Sequence, residues 1–145
     1  MKVVAYSVKP FEKEYLAKAN QKQHDITLIS NSLSPETVLY AEGKEAVIVF
    51  TNDDVSEKVI NQLAALGIKY MVTRSLGTDH IDKLTAKRHH IKIANVPSTT
   101  DHMHLSSEAL QQIANQTIKN LDLLQAGQCL GNACVCNLGC RIKAK

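Results

Sequence analysis

The sequence predicts an α/β domain with a flavodoxin-like, open parallel five-stranded sheet in the order 2-1-3-4-5 and helices on both faces. Three observations lead there. Short β-branched runs alternate with amphipathic segments from Val3 to Ala94, the pattern of consecutive β-α units with right-handed crossovers. The run Ala46-Val47-Ile48-Val49-Phe50 is continuously apolar, as a strand buried on both faces requires. Glycine and proline stand at the seams between runs, at Pro10, Pro35, Gly43, Gly67 and Gly77, where chain reversal and helix starts need them.

Taken in order, Val3 to Tyr6 reads as the first strand. Pro10 then opens a helix that places Phe11, Tyr15, Leu16 and Ala19 on one face. Ile26-Thr27-Leu28-Ile29 reads as the second strand. Ser34-Pro35-Glu36 supplies an N-cap, a proline at the first helical position and an acid in the first turn of a short helix to about Ala41, closed by Gly43. After the third strand, Asp54-Val55-Ser56-Glu57 resembles a capping box. The helix it starts carries Val55, Val59, Ile60, Leu63 and Leu66 on one face and ends at Gly67. Tyr70 to Thr73 is the fourth strand and runs into Arg74-Ser75-Leu76-Gly77-Thr78-Asp79-His80-Ile81-Asp82. A helix with Ile81, Leu84 and Thr85 follows to about Arg88, and Ile91 to Ala94 is the fifth strand. Residues 99–104 form a polar linker. Ser106 caps the longest helix, with Leu110, Ile113, Ala114, Thr117, Leu121 and Leu124 at spacings of three and four, ending at Gly127. The expected organisation is one domain over residues 1–127, in which residues 1–98 are joined by that linker to a closing helix 105–127, with an irregular Cys-rich tail 128–145.

Composition narrows the function classes. The chain has 145 residues, enough to bury about two thirds of its unfolded surface as a single domain. It is 44% apolar and 21% charged with a net charge of +3 spread over scattered lysines, so no basic, aromatic-interleaved face for nucleic acid is expected. No run approaches the ~18 apolar residues of a membrane helix, and a cytoplasmic protein is expected. The six glycines allow no G-x-G-x-x-G or phosphate loop anywhere in the chain. The Ser7-Val8-Lys9-Pro10 turn lacks the Ser/Thr-rich loop that holds a flavin phosphate, and no acidic cluster of a receiver domain follows the first strand. Asn52-Asp53-Asp54 reads as a turn and helix cap.

His89-His90 reads as a helix C-terminus where a partial positive charge suits the dipole. His102 and His104, two apart, would share a face of an extended segment. The four cysteines, Cys129, Cys134, Cys136 and Cys140, all lie beyond residue 128 and cannot staple the body of the fold. Their spacing matches no paired C-x2-C site, so a reduced tail is the plain expectation and metal binding, with His102 or His104, the alternative.

In open α/β sheets ligands sit at the carboxyl ends of the strands, which makes the stretch from Arg74 to Asp82 the candidate site. That stretch resembles the R-x-x-G-x-[ND]-[NH]-[VI]-D signature of NAD-dependent D-2-hydroxyacid dehydrogenases, nearest the D-lactate dehydrogenase and vancomycin-resistance branch. The resemblance extends to Val4-Ala5-Tyr6-Ser7, Val49-Phe50-Thr51-Asn52-Asp53-Asp54, Val96-Pro97-Ser98 and Leu105-Ser106-Ser107-Glu108-Ala109-Leu110, and on to Asn120-Leu121. It implies that the chain corresponds to the family's substrate-binding domain, whose two pieces meet where the family inserts a complete NAD-binding domain, between Ser98 and Asp101. The glycine fingerprint, the carboxylate-clamping arginine and the glutamate partner of the catalytic histidine belong to that insert. The family's histidine position falls on Asp101, with His102 adjacent. The resemblance therefore implies a domain that folds, binds no cofactor alone, and does not catalyse. Arg74, Leu76 and Gly77 are the candidates for weak binding of a small 2-hydroxy or 2-keto acid, chiefly through backbone N–H groups. The alternatives are a self-associating scaffold or homodimer, a subunit complemented by an NAD-binding domain in trans, and a metal-binding protein.

Overall fold

The computed structural model describes residues 1–51, 53–75, 77–96 and 107–128. Its strands are β1 (Lys2–Ala5), β2 (Asp25–Leu28), β3 (Ala46–Val49), β4 (Tyr70–Thr73) and β5 (Lys92–Ala94), and its α-helices are α1 (Pro10–Asn20), α2 (Glu57–Ala65), α3 (Lys83–Arg88) and α4 (Ser107–Ala126). All strand pairs are parallel, in the order β2-β1-β3-β4-β5, so the expected topology is the observed one.

Alternation along the strands divides the core in two. Val4, Val47, Val49, Met71 and Ile93 pack with Val59, Ile60 and Leu63 of α2, Ala86 of α3 and Val38. Val3, Ala5, Ile48, Val72 and Ala94 face the other way, against Leu16 of α1 and Ala114, Ile118, Leu121 and Leu124 of α4. Every residue of β3 is buried, as its uninterrupted apolar run requires.

Four local expectations change. The segment after Ser34 is a turn followed by a single 3-10 turn, Val38–Ala41, and not an α-helix. The Thr37 hydroxyl donates to the Ser32 carbonyl at 2.6 Å and accepts from the Ser34 N–H at 2.8 Å, local bonds that compete with helix formation. Phe11 is 56% exposed and Leu84 70% exposed; each stands in the first turn of its helix, where the chain is still leaving the rim of the sheet. The capping box before α2 is absent: Asp54 Oδ1 accepts from the Ser56 N–H at 3.0 Å, and Ser56 caps with no side-chain bond. Val55 and Ile81, expected on helices, instead form a parallel bridge to each other, both buried.

Candidate functional site

The residues from Arg74 to Asp82 leave the carboxyl end of β4, and each segment of the stretch has a distinct task. Arg74 is 2% exposed. Its Nε donates to Glu12 Oε2 at 2.9 Å, Nη1 to the Tyr6 carbonyl at 3.0 Å, and Nη2 to the Ser7 carbonyl at 3.0 Å and Glu12 Oε1 at 3.4 Å. The guanidinium also lies 5.2 Å from the Phe50 ring centroid, within cation–π range. With these bonds made, the arginine expected among the substrate contacts spends its side chain on fastening β4 to the end of β1 and to α1.

Beyond it, Ser75 Oγ lies 2.7 Å from Thr73 Oγ1 and donates to the Gly77 carbonyl at 2.8 Å, folding the loop back on its own strand. Leu76 lies outside the described residues. Gly77 has no left-handed φ, and a Cβ placed there meets nothing within 4 Å. Among the described residues neither backbone conformation nor packing demands glycine there. The N–H groups of Gly77 and Thr78 donate no hydrogen bond within the described residues, the kind of exposed amide pair that suits an anion. Lys83 Nζ reaches the Thr78 carbonyl at 2.9 Å. At the end of the stretch, Asp82 caps α3: Oδ1 accepts from the Thr85 N–H at 3.2 Å and Oδ2 from the Thr85 hydroxyl at 2.9 Å. Those bonds hold its carboxyl below the ordinary carboxylate range.

Sequence reasoning misses what lies beneath this loop. Asp53, which reads as a turn residue, is 4% exposed. Its Oδ1 accepts from the Ser7 hydroxyl at 2.5 Å and the Leu33 N–H at 2.8 Å, and its Oδ2 from the Phe50 N–H at 2.7 Å. It thereby ties together the carboxyl ends of β1, β2 and β3. Ser7 takes φ 57°, a left-handed conformation unusual for serine. The available sequence signal is position alone: four polar residues, Thr51 to Asp54, after the apolar run that ends at Phe50. His80 is a second residue that the sequence does not single out. It is half-buried, with Nε2 3.4 Å from Thr73 Oγ1. Its pKa lies below the usual histidine value, first because burial penalises the cation, with Lys83 adding to the shift and Asp53 and Asp79 opposing it.

Of the other histidines, His89 ends α3 as expected and its Nε2 lies 2.6 Å from Asn61 Oδ1. Asp101, His102, His104 and all four cysteines fall outside the described residues, among which no three His, Cys, Asp or Glu side chains are grouped for a metal. No described helix is long and apolar enough to cross a membrane.

A dinucleotide does not fit the β1–α1 turn. Pro10 at the first helical position has no N–H to offer, and the Lys9 N–H already donates to Glu12 Oε1 at 3.0 Å. The helix N-terminus that would face a pyrophosphate thus holds the chain's own carboxylate.

The fold recurs in known proteins. The family model described as D-isomer specific 2-hydroxyacid dehydrogenase, catalytic domain, matches residues 3–135. A 2-hydroxyacid dehydrogenase homolog of Haemophilus influenzae is 35% identical over 99 residues, covering 68% of this chain and 30% of that protein. The apo-structure of D-lactate dehydrogenase from Escherichia coli superposes with a TM-score of 0.66 at 34% identity, over 68% of this chain and 31% of that one. D-lactate dehydrogenase with NAD+ from Lactobacillus jensenii gives a TM-score of 0.61 at 31% identity, over 69% of this chain and 31% of that one. The chain therefore spans about 30% of the length of the relatives it matches.

Proposed function

This chain belongs to the family of D-isomer specific 2-hydroxyacid dehydrogenase catalytic domains, and we propose that it is the substrate-binding portion of a D-lactate-type dehydrogenase, folding alone, binding small 2-hydroxy or 2-keto acids weakly, and turning none over unaided. The observation that carries this is how the charges at the crevice are used. Arg74 is taken up by Glu12 and two carbonyls, and Asp53 by three donors. A ligand carboxylate is left with the open amides of Gly77 and Thr78, and with Leu76 by the family resemblance. Two or three such bonds contribute about 1 kcal/mol each, which corresponds to millimolar binding.

Hydride transfer needs a nicotinamide held a few ångströms from the substrate carbon, and the β1–α1 turn offers a dinucleotide no seat. Purified chain mixed with NADH and pyruvate, or with NAD and D-lactate, should leave nicotinamide absorbance unchanged; turnover above blank would refute the proposal.

A second reading draws on Phe11 and Leu84, exposed apolar side chains in the first turns of α1 and α3, both at the carboxyl rim of the sheet. Such a rim suits docking of an NAD-binding domain supplied in trans or of a second copy. Complementation predicts that a separately expressed NAD-binding domain of a relative restores turnover on mixing. Self-association predicts a concentration-dependent sedimentation coefficient, and a monomer at high concentration excludes it.

A further inference from the structure

Three hydroxyl and imidazole contacts on the crevice side of β4 fix where their protons lie. Ser75 Oγ–H donates to the Gly77 carbonyl, which can only accept. With its one proton used, Ser75 Oγ must accept in its 2.7 Å contact with Thr73 Oγ1, so the Thr73 proton points to Ser75. Thr73 Oγ1 then has only acceptor capacity left for His80 Nε2, 3.4 Å away. The imidazole nitrogen facing Thr73 therefore carries the hydrogen, and Nδ1 is the bare lone pair. Nδ1 makes no hydrogen bond within the described residues and is not among their buried unpaired atoms. His80 is half-buried and stands three residues from Gly77 in the same loop.

We propose that His80 is a specificity-determining contact: its Nδ1 accepts a hydrogen bond from the hydroxyl of a 2-hydroxy acid whose carboxylate rests on the Gly77 and Thr78 amides. The domain alone then prefers the hydroxy acid to the corresponding keto acid, because a ketone oxygen brings a second lone pair against that of Nδ1. This rests on the reading of the loop as a carboxylate site. The charged groups acting on the imidazole are Asp53 beneath it, Lys83 on α3 and Asp79 beside it, and burial keeps it neutral to lower pH than a free histidine. As pH falls through that lowered pKa, Nδ1 gains a proton and becomes a donor. The preference for the hydroxy acid then disappears and both anions bind more tightly.

The test is titration of the uniformly 15N-labelled full chain with D-lactate and with pyruvate, followed by the Gly77 and Thr78 amide resonances at pH 8 and at a pH below the His80 pKa, which the imidazole resonances of the same sample give. Wild type is expected to bind D-lactate about three- to tenfold more tightly than pyruvate at pH 8 and to lose the difference once the imidazole is protonated. His80→Phe is expected to bind both acids equally at both pH values. A long-range proton–nitrogen spectrum of the unliganded wild-type imidazole, expected to show the Nε2–H form at pH 8, decides the tautomer even if the variant fails to fold. Equal wild-type affinities at pH 8, a preference that survives in His80→Phe, or an Nδ1–H tautomer each overturns the role of His80 while leaving the carboxylate site standing. Amides that respond to neither acid overturn both.

Discussion

The two faces of the sheet are closed in different ways. The face bearing α2 and α3 is covered by segments that follow their strands directly, so its core from Val4 to Ile93 comes from one unbroken stretch of chain. The face bearing α1 waits for α4, which returns from beyond residue 106 to bury Val3, Ala5, Ile48, Val72 and Ala94. Polar ties fix its register. Gln111 Nε2 donates to the Tyr15 carbonyl at 3.1 Å, Asn120 Nδ2 to the Asn95 carbonyl at 2.9 Å, and His24 Nε2 lies 2.6 Å from Asp122 Oδ1. The locally built face carries a tie too, His89 Nε2 to Asn61 Oδ1 at 2.6 Å between α3 and α2, but the face closed from a distance is addressed by three.

The largest expected effect separates the faces outright. A chain ending at residue 98 keeps every strand yet leaves the α1 face without α4, and should fail to unfold cooperatively and should bind a hydrophobic dye. Single truncations are milder. Leu121→Ala on α4 and Leu63→Ala on α2, both wholly buried, should each cost about 2–5 kcal/mol in chemical denaturation. Retained dye exclusion and a sharp transition in the shortened chain would mean that α4 is dispensable.

These faces also mark what can be read from residues. Strand order and both core stripes are legible, because β-branched runs, apolar spacing and terminal glycines are local signals. The family signature can be located for the same reason. The tasks of its members cannot, because their partners are far off in sequence: Arg74 meets Glu12 sixty-two residues away, and Asp53 meets Ser7 at forty-six. A cation at the carboxyl end of a strand reads as a ligand contact, and only the fold shows that its guanidinium bonds the chain's own Glu12. The Ser34-Pro35 helix start misleads because Thr37 offers its hydroxyl to the same backbone.

Arg74 and Glu12 supply the next test, since this pair joins the signature loop to α1. Arg74→Met should destabilise the fold by about 2–4 kcal/mol, less than the ~3–5 of a fully buried pair because the Glu12 side chain retains some exposure. The Tyr6 and Ser7 carbonyls lose their donors at the same time. Glu12→Gln keeps one acceptor for Nε and should cost less. A stability change for Arg74→Met within the scatter of surface substitutions would show that the pair does not hold the loop.

The smallest effect belongs to Asp82, which closes the signature. Its folded pKa is depressed by bonds from Thr85, so the unfolded chain binds the proton more readily. The stability contributed by the carboxylate is therefore complete above the unfolded value of 3.8 and is lost as pH falls through the folded one. Asp82→Ala should lower the melting temperature by a few degrees at pH 7, and the gap from wild type should narrow steadily below about pH 4. A gap constant across that range would mean that Asp82 matters through its packing or helix propensity and not through its charge. The aspartate of the signature would then cap α3 no better than a neutral acceptor.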